Sequence, residues 1–154
     1  MKTLLCFALL TAAVAAPEPV SWQVRSSPAK PVKAGAPFTV KLAAHIQDGW
    51  HLYSMKSVPD GPIPTRIWLG EGQPFQLAGR VQASEPQTLQ DPNFQMEIGI
   101  YEGEAEFTLP LKVAAGTAAG PGKVLINTSY QTCDNRVCLP PKTVKVEVPV
   151  TIAR

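Results

Sequence analysis

The sequence predicts an all-β protein, a single antiparallel β-sandwich of the immunoglobulin-like kind. Hydrophobic and polar residues alternate with a period of two in several segments, and none of the segments shows a helical stripe. The 16 prolines, about twice the average usage, are spread along the chain. Because proline fixes φ and has no N–H to donate, this distribution favours short strands joined by loops. Seven or more such strands are typical of a sandwich.

Two segments of ten residues show the alternation most clearly, residues 37–46 and residues 143–152. Each segment places five apolar side chains on one face: Phe38, Val40, Leu42, Ala44 and Ile46 in the first, and Val144, Val146, Val148, Val150 and Ile152 in the second. A period of two over this length predicts a half-buried strand. Pro149 cannot donate to a ladder, so we expect the last strand to lie at an edge or to carry a bulge there.

Weaker alternation predicts further strands at residues 20–25, 65–70, 75–82, 105–113 and 123–131. Residues 85–99 are polar, contain two prolines and show no strand pattern, so we expect a loop there, with Phe94 as its one aromatic residue. We expect the carboxylates around this loop to be solvated, namely Asp91, Glu97, Glu102 and Glu104.

Residues 1–15 have the order of features of a secretory signal peptide: a positive charge at Lys2, an apolar stretch and small residues at the end. The run 13–15 (Ala-Val-Ala) fits the small-x-small cleavage pattern, so we expect one mature domain of residues 16–154, without Cys6. No later apolar run has the roughly 20 residues that a membrane helix needs. We therefore expect a periplasmic or secreted protein with no stable membrane insertion.

Charge and motifs argue against several classes of function. The chain has 14 Lys and Arg against 12 Asp and Glu, a formal net charge of +2, and it contains no basic block. Binding to nucleic acid or to an acidic membrane surface therefore has no support. The sequence also has no glycine-rich loop of the kind that cradles phosphates, and we expect no cofactor.

The predicted mature domain contains two cysteines, Cys133 and Cys138, within the segment Tyr-Gln-Thr-Cys-Asp-Asn-Arg-Val-Cys-Leu-Pro-Pro at 130–141. They lie between two predicted strands, at the turn of a hairpin, where the backbone can bring them together. A structural disulfide is the commoner case in exported proteins. Closing so short a loop, however, stabilises the fold by only about 2 kcal/mol in the chain-entropy estimate. The spacing alone leaves a structural staple and a redox couple equally open.

A metal site is a third interpretation of the same cysteines. Cys133 and Cys138 together with His45 and His51 would supply two thiolates and two imidazoles, the ligand set of a structural zinc site. The spacing between the cysteines is looser than zinc sites usually have, and His45 lies on the polar face of its predicted strand. We therefore expect no metal.

Three segments together resemble the N-terminal periplasmic domain of the thiol:disulfide interchange protein DsbD. Residues 130–143 are similar to the active-site segment of that family, which reads Tyr-Gln-x-Cys, a few residues, then Cys-x-Pro-Pro. Residues 46–54 resemble its Asp-Gly-aromatic-x-Leu-Tyr stretch, and residues 91–111 resemble its cap-loop region with the Tyr and strand that follow. The segments occur in the family's order, and the resemblance extends over most of the mature chain.

The resemblance implies which residues form the site. Cys133 and Cys138 match the redox pair, with Cys138 as the attacking thiol and Cys133 as the resolving one. The residues that line the site would be His51, Tyr53, Phe94 and Tyr130, with Phe94 as the cap-loop aromatic that shields the disulfide. The chain departs from the best-known members in two ways, since those have a tyrosine where His51 stands and one more residue between the cysteines.

The resemblance also implies a function. The protein would act as a protein-disulfide reductase component that carries electrons between thioredoxin-like proteins, such as disulfide isomerases or cytochrome c maturation thioredoxins. The alternative, from a different class, is a non-redox binding or adaptor sandwich whose disulfide is only structural. The reduction potential of the pair separates the two, because structural disulfides usually lie below about −300 mV.

Overall fold

The computed structural model describes residues 18–154, and the regular secondary structure of this part is all β, as predicted. The expected signal peptide at residues 1–15 and the expected start at Ala16 lie outside the described residues. Residues 18–154 contain no helix that is long and apolar enough to cross a membrane. The strands are β1 (Val20–Ser26), β2 (Pro37–Ile46), β3 (His51–Tyr53), β4 (Arg66–Leu69), β5 (Phe75–Leu77), β6 (Gln82–Ala83), β7 (Gln87–Asp91), β8 (Met96–Tyr101), β9 (Glu104–Val113), β10 (Gly120–Tyr130), β11 (Thr132–Cys133) and β12 (Lys142–Ile152).

These strands form three sheets in which neighbouring strands run antiparallel. The five-stranded sheet has the order β1-β2-β9-β5, and β6 also pairs with β9. The three-stranded sheet has the order β12-β10-β4, and the four-stranded sheet has the order β11-β3-β8-β7. The arrangement is the predicted immunoglobulin-like sandwich.

The main hydrophobic core joins the five-stranded and three-stranded sheets. Leu42 on β2 and Phe107 on β9 contribute to it from one sheet, and Val124 on β10 and Val148 on β12 contribute from the other, with all four side chains fully buried. Buried and more exposed residues alternate along β9 and β12 because successive side chains of a strand point to opposite faces. The apolar residues of the alternating pattern thus form the inner face of each sheet.

The two clearest strand predictions are confirmed. β2 covers the predicted residues 37–46, and β12 begins one residue before the predicted 143–152. β12 lies at an edge of its sheet, as Pro149 requires, and Pro149 pairs with Lys123 of β10 without a register shift. Four of the weaker predictions correspond to β1, β4, β9 and β10.

The prediction of one continuous strand over residues 75–82 is wrong. β5 and β6 are separate short strands, and both pair with β9. The break lies beside Pro110 of β9, whose carbonyl oxygen accepts a hydrogen bond from the N–H of Ala78 at 2.8 Å. Because proline has no N–H to donate in return, the ladder is interrupted at this point.

The loop expected over residues 85–99 is instead a β-hairpin of β7 and β8, with a tight turn that includes Phe94. The alternation is weak in the sequence because β7 is largely exposed. Gln95, just before β8, has a positive φ of 56°, and its N–H donates to the carbonyl of Asp91 at 2.7 Å. This turn closes the hairpin.

The four-stranded sheet buries side chains on both of its faces. Leu52 and Tyr101 enter the main core. On the opposite face a second, smaller cluster contains the buried side chains of Tyr53, Ile98, Ile100 and Cys133. The partly buried residues that pack against this cluster are Leu89, Phe94, Met96 and Cys138. The cysteine pair therefore lies in a cluster of its own, beside the main core.

Candidate functional site

Cys133 and Cys138 are joined by a disulfide at the end of β11, with a Cα–Cα distance of 4.0 Å. Two backbone hydrogen bonds flank the pair: the N–H of Asp134 donates to the carbonyl of Val137, and the N–H of Leu139 donates to the carbonyl of Thr132, each at 2.9 Å. The cysteines therefore face each other across a small antiparallel bridge, at the hairpin turn that the sequence predicts.

The two sulfur-bearing residues differ in exposure. Cys133 is 0% exposed, whereas Cys138 is only partly buried and follows Val137, a valine with 49% exposure. In thiol–disulfide exchange a thiolate attacks one sulfur of a disulfide and displaces the other. Cys138 is therefore the more accessible residue of the pair.

The loop between the cysteines is ordered by Asp134. Its Oδ1 accepts hydrogen bonds from the N–H groups of Val137 at 2.6 Å and Arg136 at 2.7 Å. These backbone donors, Val137 first, hold the pKa of the Asp134 carboxyl below its usual range. The side chain of Arg136 is exposed.

A buried hydrogen-bonded group lies behind the disulfide. Tyr53 donates its hydroxyl proton to Asp91 Oδ2 at 2.7 Å, and His51 Nε2 lies 3.2 Å from the Tyr53 hydroxyl and 3.4 Å from Asp91 Oδ2. None of the three residues is more than 2% exposed. His51 is also the residue directly opposite Cys133 in the β3–β11 pair, so both side chains are on the same face of the sheet.

The expectation that Asp91 is a solvated carboxylate is wrong, because this residue is 0% exposed. It occupies the last position of β7 and points to the buried face, where two backbone N–H groups and the Tyr53 hydroxyl satisfy its oxygens. The other three carboxylates of that group, Glu97, Glu102 and Glu104, are exposed as expected. The one signal in the sequence for Asp91 is the run Asp-Pro-Asn at 91–93, which is typical of a side-chain-capped turn.

Asp91 also fixes the turn of the β7–β8 hairpin. Its Oδ1 accepts hydrogen bonds from the N–H groups of Asn93 at 2.7 Å and Phe94 at 3.1 Å. The Phe94 ring then packs edge-on against Tyr53, with a centroid distance of 5.9 Å, and joins the cluster that contains both cysteines. Asn93 Nδ2 donates to the carbonyl oxygen of Asp134 at 2.9 Å. This bond ties the hairpin to the loop between the cysteines.

Burial determines the protonation of the two ring side chains in this group. Desolvation lowers the pKa of His51, and the opposing attraction of Asp91 is the smaller effect, so the imidazole is neutral near pH 7. Desolvation, followed by the hydrogen bond to Asp91, raises the pKa of Tyr53 far above its ordinary value. Tyr53 is therefore a permanent hydrogen-bond donor, and the contact between His51 and Asp91 is a polar contact rather than a fixed ion pair.

The site residues predicted from the sequence lie in two different parts of the structure. His51, Tyr53 and Phe94 gather around the cysteines, whereas Tyr130 is buried in the main core and packs against Trp22. His45 lies on β2, with its Nδ1 3.1 Å from Glu104 Oε2. No group of three or more metal-ligating side chains is assembled within residues 18–154.

An immunoglobulin-like sandwich with a local disulfide, in which Cys133 is buried and Cys138 is partly buried, has the features of a thiol–disulfide exchange domain. The family described as thiol:disulfide interchange protein DsbD, N-terminal, matches residues 20–149, and the chain belongs to this family. Membership fits thiol–disulfide exchange and implies interaction with thioredoxin-like proteins in general. No curated protein sequence matches the chain.

A solved structure supports the fold. The crystal structure of the Neisseria meningitidis DsbD N-terminal domain in the reduced form matches with a TM-score of 0.53 and 20% sequence identity. The match covers 78% of this chain and 86% of that chain. At this level of identity the likeness establishes the common architecture.

We expect the stability of the protein to fall as the pH is lowered below about 6.5. Because the pKa of His51 is depressed in the folded state, the unfolded chain binds a proton first, near the ordinary value of 6.5, and this favours unfolding. The stabilisation that comes from the depressed pKa of His51 is fully present above that pH and is lost as the pH falls toward the pKa of the folded state. The loss is on the order of 1 kcal/mol for each unit between the pKa values of the unfolded and folded states.

Urea unfolding at several pH values checks this expectation. His51→Gln should lose less stability than the wild type between pH values of about 7 and 5. His45→Gln is the matched control, because it removes the other histidine of the chain from the polar face of β2. If the wild type and His51→Gln lose equal free energies of unfolding over this pH range, the proposal that burial lowers the pKa of His51 would be contradicted.

Proposed function

We propose that this protein is an exported thiol–disulfide exchange domain whose Cys133–Cys138 pair cycles between disulfide and dithiol and passes electrons between thioredoxin-like proteins. One observation carries the proposal: a partly exposed Cys138 is bonded to a fully buried Cys133 in a chain of the DsbD N-terminal family. This asymmetry supports attack by the partner on Cys138 and release of Cys133.

The exchange takes place in two displacements. A thiolate of the reducing partner attacks Cys138 Sγ, a mixed disulfide forms, and Cys133 Sγ leaves as a thiolate and takes up a proton. The second thiolate of the partner then attacks the partner's own sulfur in the mixed disulfide and releases Cys138. In total, two electrons pass to the cysteine pair and the partner dithiol becomes a disulfide. In the reverse direction Cys138 is the attacking thiol and Cys133 resolves the mixed disulfide.

The surroundings of Cys133 favour protonation of its sulfur once it has left as a thiolate. A buried charge without a partner is unfavourable, so the thiol is the stable form in this cluster. The neutral ring of His51 lies opposite Cys133, where Cβ atoms in such strand pairs are roughly 4.5–5.5 Å apart. We propose that His51 and Tyr53 line the site on this side.

The alternative, a purely structural disulfide, has a weaker basis in this fold. The disulfide closes a short loop, with a sequence separation of 5, at the edge of the four-stranded sheet. The main core is built from other residues and contains neither cysteine. Loss of the disulfide should therefore leave most of the stability of the fold intact.

We expect the Cys133→Ser, Cys138→Ser double variant to fold with a loss of no more than about 2 kcal/mol. The wild-type pair should have a reduction potential above about −300 mV, measured by equilibration with dithiothreitol or glutathione buffers. The single variant Cys133→Ser, which keeps the partly exposed Cys138, is mixed with a bacterial thioredoxin that lacks its second cysteine and whose remaining cysteine is bonded to thionitrobenzoate. The Cys138 thiolate should attack that mixed disulfide, join the two proteins and release thionitrobenzoate. Cys138→Ser should form less of the joined product, because its remaining thiol is buried. A double variant that does not fold would support the structural alternative.

We also propose that Phe94 is a lid over the disulfide. The ring packs on the cluster of both cysteines, and its turn is attached to the cysteine loop through the bond from Asn93 to Asp134. A side chain in this position shields the sulfurs from small thiols and has to move when a partner docks.

Phe94→Ala should accelerate reduction of the disulfide by dithiothreitol severalfold, with a stability loss well below the roughly 3 kcal/mol that a fully buried phenylalanine would cost. Stopped-flow reduction and urea unfolding of the same variant measure both quantities. Leu89→Ala is a matched control, because Leu89 packs against the same cluster from the same hairpin. An unchanged rate in Phe94→Ala, or an equal acceleration in Leu89→Ala, would argue against a lid.

Export is the last part of the proposal. The order of features in residues 1–15 and the periplasmic character of the DsbD N-terminal domain support a periplasmic or secreted protein. Mass spectrometry of the protein expressed with its complete sequence should find a chain that starts at Ala16 in the exported fraction. A chain that retains residues 1–15, or one with a lipid on Cys6, would contradict this interpretation.

A further inference from the structure

We propose that His51 is the general base of the exchange: its Nδ1 takes the proton of the buried Cys133 thiol when Cys133 resolves a mixed disulfide on Cys138. This inference rests on the proposed function, and it adds a residue that assists one of the two displacements. Cys133 is 0% exposed, so its proton cannot pass directly to bulk water. A buried ring on the neighbouring strand can accept it instead.

The pairing of β3 with β11 places His51 beside Cys133. The two residues are directly opposite each other in the antiparallel register, with their side chains on the same face of the sheet. Cβ atoms of such pairs are roughly 4.5–5.5 Å apart. Of the two ring nitrogens, Nδ1 is the one nearer the backbone, and a hydrogen bond from a cysteine thiol to this nitrogen can span that separation.

The contacts at the far end of the ring determine which nitrogen is free. His51 Nε2 lies 3.2 Å from the Tyr53 hydroxyl and 3.4 Å from Asp91 Oδ2. The hydroxyl of Tyr53 donates its one proton to Asp91 at 2.7 Å, because a phenol holds its proton far more tightly than a carboxylate does. Neither neighbour has a proton for Nε2, so Nε2 carries the N–H and is itself the donor. A neutral imidazole has only one N–H, and Nδ1 therefore keeps its lone pair.

The charges around the ring favour the imidazolium that this proton transfer produces. Burial is the largest effect on the pKa of His51 and lowers it, so the ring is a neutral base near pH 7. Asp91, Glu102 and Asp134 act in the opposite direction and stabilise the positive charge once the proton has arrived. Asp91 and Tyr53 are positioning residues, because they hold the tautomer and the orientation of the ring. A base that is oriented by a third group is the arrangement that activates a thiol nucleophile.

In the resolving step the Cys133 thiol gives its proton to Nδ1, and the resulting thiolate attacks Cys138 Sγ. The bond between the two cysteines forms, and the bond from Cys138 to the partner's sulfur breaks with its electron pair on the partner. The departing thiolate takes up the proton from His51, and the ring is neutral again. The cysteine pair has lost two electrons, and the partner disulfide has become a dithiol. In the reducing direction each transfer runs backwards, so that Cys133 leaves as a thiolate beside the His51 imidazolium.

Reaction of the reduced protein with excess dithiobis(nitrobenzoate) isolates the resolving step without a protein partner. Cys138 attacks the reagent and releases a first thionitrobenzoate at a rate that depends on the reagent concentration. Cys133 then attacks Cys138 and releases a second thionitrobenzoate at a rate that is independent of this concentration. Stopped-flow absorbance measures both phases between pH values of about 5.5 and 9.5, on either side of the ordinary thiol pKa of about 8.5.

In His51→Gln the second phase near pH 7 should be about ten-fold slower than in the wild type, because without a base only a few per cent of an ordinary thiol is ionised at that pH. The difference should narrow toward the alkaline end of the range, where hydroxide removes the proton unaided. The first phase depends on Cys138 and should be unchanged. His45→Gln is the matched control and should leave both phases unchanged, since it removes the other histidine of the chain, on the polar face of β2.

A second phase that is equally fast in His51→Gln would overturn the inference, and so would a slowing that is the same at every pH, which loss of packing alone would produce. Proton–nitrogen NMR correlation of the oxidised protein should find the neutral ring protonated on Nε2, and protonation on Nδ1 would also overturn the inference. If His51→Gln does not fold, as judged by circular dichroism, His51→Tyr keeps a ring at this position and is judged by the same criteria. Failure of thioredoxin to reduce the wild-type disulfide would count against the proposed function instead, and the two failures are distinguishable because the reagent needs no protein partner.

Discussion

The carboxylate of Asp91 accepts hydrogen bonds from the Tyr53 hydroxyl and from the N–H groups of Asn93 and Phe94, and the arrangement of the whole site depends on these bonds. Buried carboxylates are tolerated only when their oxygens are satisfied, so the strand that carries Tyr53 and the turn that carries Phe94 are fixed relative to each other. The Phe94 ring is thereby placed on the cysteine cluster. His51 is part of the same group and is held neutral by burial.

The position of this group follows from a sheet that is buried on both faces. Successive residues of β3 enter different clusters, with Leu52 in the main core and Tyr53 in the cysteine cluster. One strand therefore connects the main core to the cysteine cluster. The hydrogen bond from Thr65 Oγ1 to the carbonyl of Tyr53, at 2.6 Å, fixes the end of that strand.

Separation of the disulfide from the main core has a consequence for redox chemistry. A disulfide that fixes a large loop contributes much to folding, whereas a local one contributes little. The Cys133–Cys138 pair is local, and the strands on either side of it, β10 and β12, are paired over eleven residues each. We therefore expect the pairing of β10 with β12 to remain when the disulfide is opened.

The sequence by itself determined the all-β class and the long strands, because alternation over ten residues, as in β2 and β12, records the buried face of a sheet directly. It also identified the cysteine pair and, by resemblance, three residues that lie around it: His51, Tyr53 and Phe94. Short or exposed strands such as β7 escaped detection, since a strand with few buried side chains leaves little pattern.

Only the tertiary structure decided that Asp91 is buried and that Tyr130 faces the main core. The burial of a polar residue depends on partners distant in sequence, as with Asp91 and Tyr53, which are 38 residues apart. The same holds for the different exposure of the two cysteines. Local sequence specifies which face of a strand a side chain occupies. Whether that face is covered depends on the packing of sheets that come together only in the folded chain.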